Sequence, residues 1–139
     1  MFRFLFDTDH LTLFDHVHQA VWRRFMQQPP GSVGLTAVTV EEHLRGRLAV
    51  LSRHQSGAQQ VQAYTRLVES LQLFQQFPVV GFDAASEARF QHLRSLRLRV
   101  GSQDLRIAAI ALRHQVTLLT RNRRDFGQVP GLVTDDWSV

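Results

Sequence analysis

At 139 residues the chain is long enough to bury a core of its own and suits a single domain. With 44% hydrophobic and 20% charged residues it is an ordinary globular composition, no apolar run approaches a membrane span, and the absence of Cys excludes disulfides, thiolate metal sites and cysteine nucleophiles. The formal charge is +4, carried by 16 Arg and no Lys; the clusters at 97–100 and 121–124 fit a polyanionic partner, or else a solvated surface.

The opening MFRFLFD has too short an apolar stretch for a signal peptide, which points to a cytoplasmic chain. Residues 2–6 (FRFLF) read as a strand buried on both faces. Over 11–26, Leu11, Phe14, Val17, Val21, Trp22 and Phe25 recur at helical spacing, with Asp9 as the expected N-cap and QQPPGS as the stop. A second buried strand follows at 33–38. Helices at 39–51 and 56–77 form a hairpin around HQSG, and the second carries Val61, Tyr64, Leu67, Val68, Leu71 and Phe74 on one stripe. A short strand is expected at 78–83, a helix at 84–98, an almost wholly apolar and therefore buried helix at 101–115, a strand at 116–120 and an edge strand at 131–137. Strands alternating with helices imply right-handed βαβ units, hence an α/β domain with a parallel sheet covered on both faces.

Ligands of such sheets bind beyond the carboxyl ends of the strands. Asp7 lies just past the first strand, Glu42 in the first turn after the second, Asp104 in the first turn of the apolar helix, and Asn122 and Asp125 just past 116–120. Hard oxygen donors converging there suit Mg²⁺ or Mn²⁺. Each also has a structural reading. Thr39 to Glu42 matches a capping box, Asp104 complements a helix dipole after a Ser102 cap, and Asp125 joins the charges of Arg123 and Arg124. Asp7, ending a buried strand, has no evident capping duty. The seven His show no ligand spacing and are expected at the surface or on helix sides, so zinc is not indicated.

Two resemblances bear on the opening pair of Asp. FLFDTDHL resembles the haloacid dehalogenase motif, which implies a phosphatase with Asp7 as nucleophile; but Leu11 stands where that motif has Thr or Val, and the chain has no Lys to neutralise phosphate. The other resemblance, to PIN-domain nucleases and in particular the VapC-type toxins of toxin–antitoxin pairs, runs through FLFDTDHLTLF, AVTVEEHLRGRL and VGSQDLRIAAIALRHQVTLLTRNRRDFGQVPGLVTDDW. It departs from the family at His43, where a Leu is usual, and at Asn122, where many members carry Asp.

That resemblance implies a three-layer α/β/α PIN-like domain over residues 1–139, with a central, mainly parallel sheet of four to five strands. It implies a Mg²⁺- or Mn²⁺-dependent endoribonuclease with Asp7, Glu42, Asp104 and Asp125 as metal-holding catalytic carboxylates. Thr8, Thr120 and Asn122 would support them, and Arg99, Arg121, Arg123 and Arg124 would contact RNA phosphates. Family members of this kind pair as homodimers and are silenced by a cognate antitoxin, for which the 41–77 hairpin is a fair interface. The alternative within the fold is a non-catalytic RNA-binding module.

Overall fold

A computed structural model describes all residues, 1–139. Its sheet has five strands in the order β3-β2-β1-β4-β5, every neighbouring pair parallel. The strands are β1 (Phe4–Phe6), β2 (Val33–Thr36), β3 (Val79–Val80), β4 (Thr117–Leu119) and β5 (Thr134–Asp135). The helices are α1 (Thr8–Asp15), α2 (Gln19–Met26), α3 (Ala37–Arg53), α4 (Gly57–Phe74), α5 (Ala84–Ser95), α6 (Ser102–His114) and α7 (Arg123–Phe126).

The period-two alternation of the strands sorts the core into two layers. Leu5 and Leu118 face α5 and α6, packing with Phe90, Leu93, Leu105, Ile107 and Ile110. Phe6, Leu35 and Leu119 face the other way, onto Leu11, Phe14, Val21, Leu73, Phe74 and Trp137. The apolar helix at 101–115 is α6, with Ala108 through Ala111 fully buried. Gly34 has a steric reason in mid-sheet, since a Cβ there would lie 3.1 Å from the Pro78 carbonyl oxygen and 3.3 Å from Leu5 Cδ2.

Three local expectations are corrected. The helix expected over 11–26 is two, broken at Val17, which takes a left-handed backbone (φ 56°). His18 then caps α2 through Nδ1, which accepts from the Val21 N–H at 3.4 Å, and both Val17 and Trp22 are exposed rather than in the stripe. Thr39 is not the cap of α3. The strand stops two residues earlier than its apolar run, and the Thr36 hydroxyl accepts from the Thr39 N–H at 3.0 Å. The third concerns α4, whose inner face is Ala63, Ser70, Leu73 and Phe74, leaving Val61, Tyr64, Val68 and Leu71 in solvent. No helix is long and apolar enough to cross a membrane.

Candidate active site

In register, Phe6 lies level with Leu35 on one side and Leu119 on the other, so Asp7, Thr36 and Thr120 come next on the three central strands. β1 is also where the strand order reverses, between chain running outward to β3 and chain running outward to β5, and such switch points open a crevice above the sheet. The Asp7 N–H donates to the Leu119 carbonyl at 3.0 Å, tying the end of β1 to β4. Contrary to expectation, Asp7 and not Asp9 caps α1; its Oδ1 accepts from the His10 N–H at 2.7 Å. Asp7 is 6% exposed, so one oxygen is committed to the helix while the carboxylate stays at the crevice floor.

Glu42 sits in the second turn of α3, not the first, because the helix starts at Ala37. The Thr8 hydroxyl donates to its Oε1 at 2.6 Å, a charge-assisted bond that fixes the carboxylate beside the start of α1. Its neighbour Glu41 turns away, to Arg45 at 2.6 Å and Gln103 at 2.9 Å. Asp104 is the third residue of α6, whose cap is Gly101 rather than Ser102 and offers no side-chain bond. Asp125 lies in α7, where Asn122 donates to its Oδ2 at 3.0 Å and accepts from its N–H at 3.3 Å. Asn122 thus aims Asp125. The Thr120 hydroxyl accepts from the Asn122 N–H at 2.9 Å, so it shapes this turn.

Electrostatics shows that these groups converge. The Asp104 carboxyl is raised from 3.8 to about 6, first by burial and then by the charges of Glu42, Asp7 and Asp125. Four chain segments therefore bring carboxylates to the neighbourhood of Asp104, where the charges of the other three disfavour its ionisation. An all-oxygen, strongly anionic donor set of this kind fits a hard divalent cation such as Mg²⁺ or Mn²⁺, and the residues present are the right chemistry for one.

A second grouping competes for attention. Ligand atoms of Asp7, Asp9 and His10 lie within 4.8 Å of one another. However, both Asp9 oxygens are taken by Arg121, through Nε at 2.7 Å and Nη2 at 2.8 Å. His10, expected at the surface or on a helix side, lies on α1 and is fully buried, and its Nε2 accepts from the Trp137 N–H at 3.1 Å. That bond leaves the ring proton on Nδ1, which faces Asp7 Oδ1 at 3.6 Å, so His10 backs Asp7 instead of offering a lone pair to a cation. With Asp9 and His10 both engaged by protein groups, the four carboxylates remain the candidate donor set.

The arginines divide. Arg121 is held by Asp9 and Arg123 approaches Asp135 at 3.5 Å, whereas Arg99 and Arg124 have no ion-pair partner and are joined through Gln128, which bonds the backbone of both. Beside Thr8 and Glu42, a groove of about 350 Å³ lined also by Thr12, Asp15, His16, His43, Gly46 and Arg47 contains no hydrophobic residue. Within it Arg47 Nε and His43 Nε2 each reach Ser70 Oγ at 2.9 Å. Burial, and then Arg47, lower the pKa of His43, against the raising effect of Asp15. His43 stands out in the sequence only as a departure from the family's usual Leu, and Arg47 is not singled out.

A PIN domain family model matches residues 5–132. No curated protein matches the chain by sequence. Among solved structures, the DNA-bound VapBC of Salmonella typhimurium is similar at 20% identity, covering 99% of this chain and 99% of that chain with a TM-score of 0.78. FitAcB of Neisseria gonorrhoeae is similar at 25% identity, 98% and 99% coverage and a TM-score of 0.74. A toxin–antitoxin complex of Klebsiella pneumoniae is similar at 23% identity, 94% and 95% coverage and a TM-score of 0.70. These likenesses speak for the fold, and the matched model spans most of the sheet and all four carboxylates: the chain belongs to the PIN domain family.

Proposed function

We propose that this chain is a Mg²⁺- or Mn²⁺-dependent endoribonuclease, working as a single domain over residues 1–139, and the toxin of a type II toxin–antitoxin pair. The observation that carries the reading is the raised Asp104 carboxyl under the combined charge of Asp7, Glu42 and Asp125, at the switch point of a PIN sheet. Those four residues would hold the cation, whose chemistry is to make water a nucleophile at neutral pH and to offset charge on the phosphate. Thr8 keeps Glu42 in place, and Asn122 does the same for Asp125. The Thr120 hydroxyl supports them indirectly, by holding Asn122. Arg99 and Arg124, free of ion pairs, are assigned to RNA phosphates, with Arg121 and Arg123 nearer the sheet.

The partner reading draws on the neighbours, one of which is a toxin–antitoxin complex, and on the exposed Val61–Tyr64–Val68–Leu71 stripe of α4. We assign that stripe to a cognate antitoxin or a second copy in a homodimer, and the protein to the cytoplasm. A haloacid dehalogenase-like phosphatase is disfavoured, since Asp9, the general acid it would need, is clamped by Arg121.

The test is cleavage of a mixed, structured RNA pool with Mg²⁺, Mn²⁺ or EDTA, beside folded Asp104→Asn. Cleavage that requires the cation and is lost in the variant supports the nuclease. RNA binding without cleavage by either protein would replace it with the non-catalytic module.

A further inference from the structure

The Arg121–Asp9 pair joins the first residue beyond Thr120 to the first turn of α1, across 112 positions of sequence. It lies beside Asp7, past the ends of β1 and β4, with side chains 51% and 43% exposed. The contact uses the Nε/Nη2 edge of the guanidinium, the fork that matches two oxygens of a carboxylate or a phosphate. A phosphodiester has the same single negative charge and the same pair of free oxygens as Asp9. Arg121 is also under the pull of Asp136 and Asp7, so these carboxylates hold it in place before any substrate arrives.

We infer that Asp9 is an internal stand-in for an RNA phosphate, occupying the Arg121 fork until a backbone phosphate of the substrate displaces it. This inference rests on the ribonuclease reading, and concerns binding rather than the chemical step. Exchange is open because a half-exposed ion pair is weak. It opposes binding for a second reason. Asp9, whose ligand atoms in the paired state lie within 4.8 Å of those of Asp7 and His10, becomes an unpaired charge once displaced. Asp9 is therefore a brake on RNA affinity, set against an arginine that favours it.

The experiment measures binding of short single-stranded RNA by fluorescence anisotropy in EDTA, where cation binding plays no part. Proteins compared are wild type, Asp9→Asn, Asp9→Ser, Arg121→Gln and the Asp9→Asn/Arg121→Gln double variant, each checked by thermal melting. Asp9→Asn and Asp9→Ser should bind about three- to tenfold tighter at low salt, with the dependence of log K on log salt steeper by about 0.7. Arg121→Gln should bind more weakly, and Asp9→Asn should tighten binding less in the Arg121→Gln background than in wild type, because without the fork only the charge of Asp9 is left to remove. Unchanged or weaker binding by both Asp9 variants, a double variant as tight as Asp9→Asn, or no RNA binding by any protein would overturn the inference. Cleavage assays on the same proteins separate the two claims. Tighter binding without cleavage would keep the inference and remove the nuclease, and metal-dependent cleavage without tighter binding would do the reverse.

Discussion

Replacing Asp104 by Asn should stabilise the protein when divalent cations are absent, although it removes a proposed catalytic group. The wild-type carboxyl is raised from 3.8 to about 6 by burial and by Glu42, Asp7 and Asp125. Each pH unit between the two values corresponds to about 1.36 kcal/mol, so ionising Asp104 in the folded chain costs about 3 kcal/mol, or about 2 kcal/mol once solvent reaching the half-buried group is allowed for. The cost is absent below pH 3.8, where folded and unfolded chains are both protonated. It grows through the interval as the unfolded chain ionises first, and is complete above pH 6. Asn carries no charge and avoids it. Thermal melts in EDTA should therefore give coincident curves near pH 4 and a gap of about 5–8 °C in favour of Asp104→Asn at pH 7.5. Saturating Mg²⁺ should reverse the order, since only the wild type keeps the full donor set; a ligand at a hundred times its Kd adds about 2.7 kcal/mol. An Asn variant less stable than wild type in EDTA at pH 7.5 would refute the convergence of the four carboxylates.

Thr8→Val removes the 2.6 Å bond to Glu42 and should lower cleavage about 10- to 100-fold while changing stability by less than about 1 kcal/mol, as read by single-turnover kinetics and urea melts; unchanged rates would show that Glu42 needs no such support. His10→Ala opens a cavity under the crevice and strands the Trp137 N–H, so urea unfolding should report a loss of about 2–4 kcal/mol, and a loss below 1 would contradict the buried pairing of His10 with the C-terminal segment. Val17→Asn relieves a β-branched residue at φ 56° on an exposed corner and should raise stability by about 1 kcal/mol; a lower urea midpoint would count against the break between α1 and α2.

The sheet could be read from the sequence because buried parallel strands leave continuous apolar runs, and four such runs stand between helical stripes. The acidic residues just beyond them needed only the rule that binding crevices open at carboxyl ends. Boundaries were harder, for a physical reason. The apolar run 33–38 continues past the end of β2 because Val38, on the first turn of α3, is as buried as the strand. Thr36 and Thr39 both carry a hydroxyl able to cap, so the pattern alone placed the helix start three residues late and put Glu42 in the wrong turn. The break at Val17 carries no Gly or Asn signal, and its residue type argues against the backbone it adopts. Partnerships across the chain were invisible: Asp9 with Arg121, and His10 with Trp137, join residues more than a hundred positions apart, and no local spacing marks them.

The central claim is that Asp7, Glu42, Asp104 and Asp125 form a cation site. Crystals grown with Mn²⁺, and the anomalous difference map computed from them, address it directly. A peak is expected among those four carboxylates in the wild type and none in Asp104→Asn. A peak at Asp9 and His10 instead, or a wild-type crevice without Mn²⁺ at saturating concentration, would contradict it.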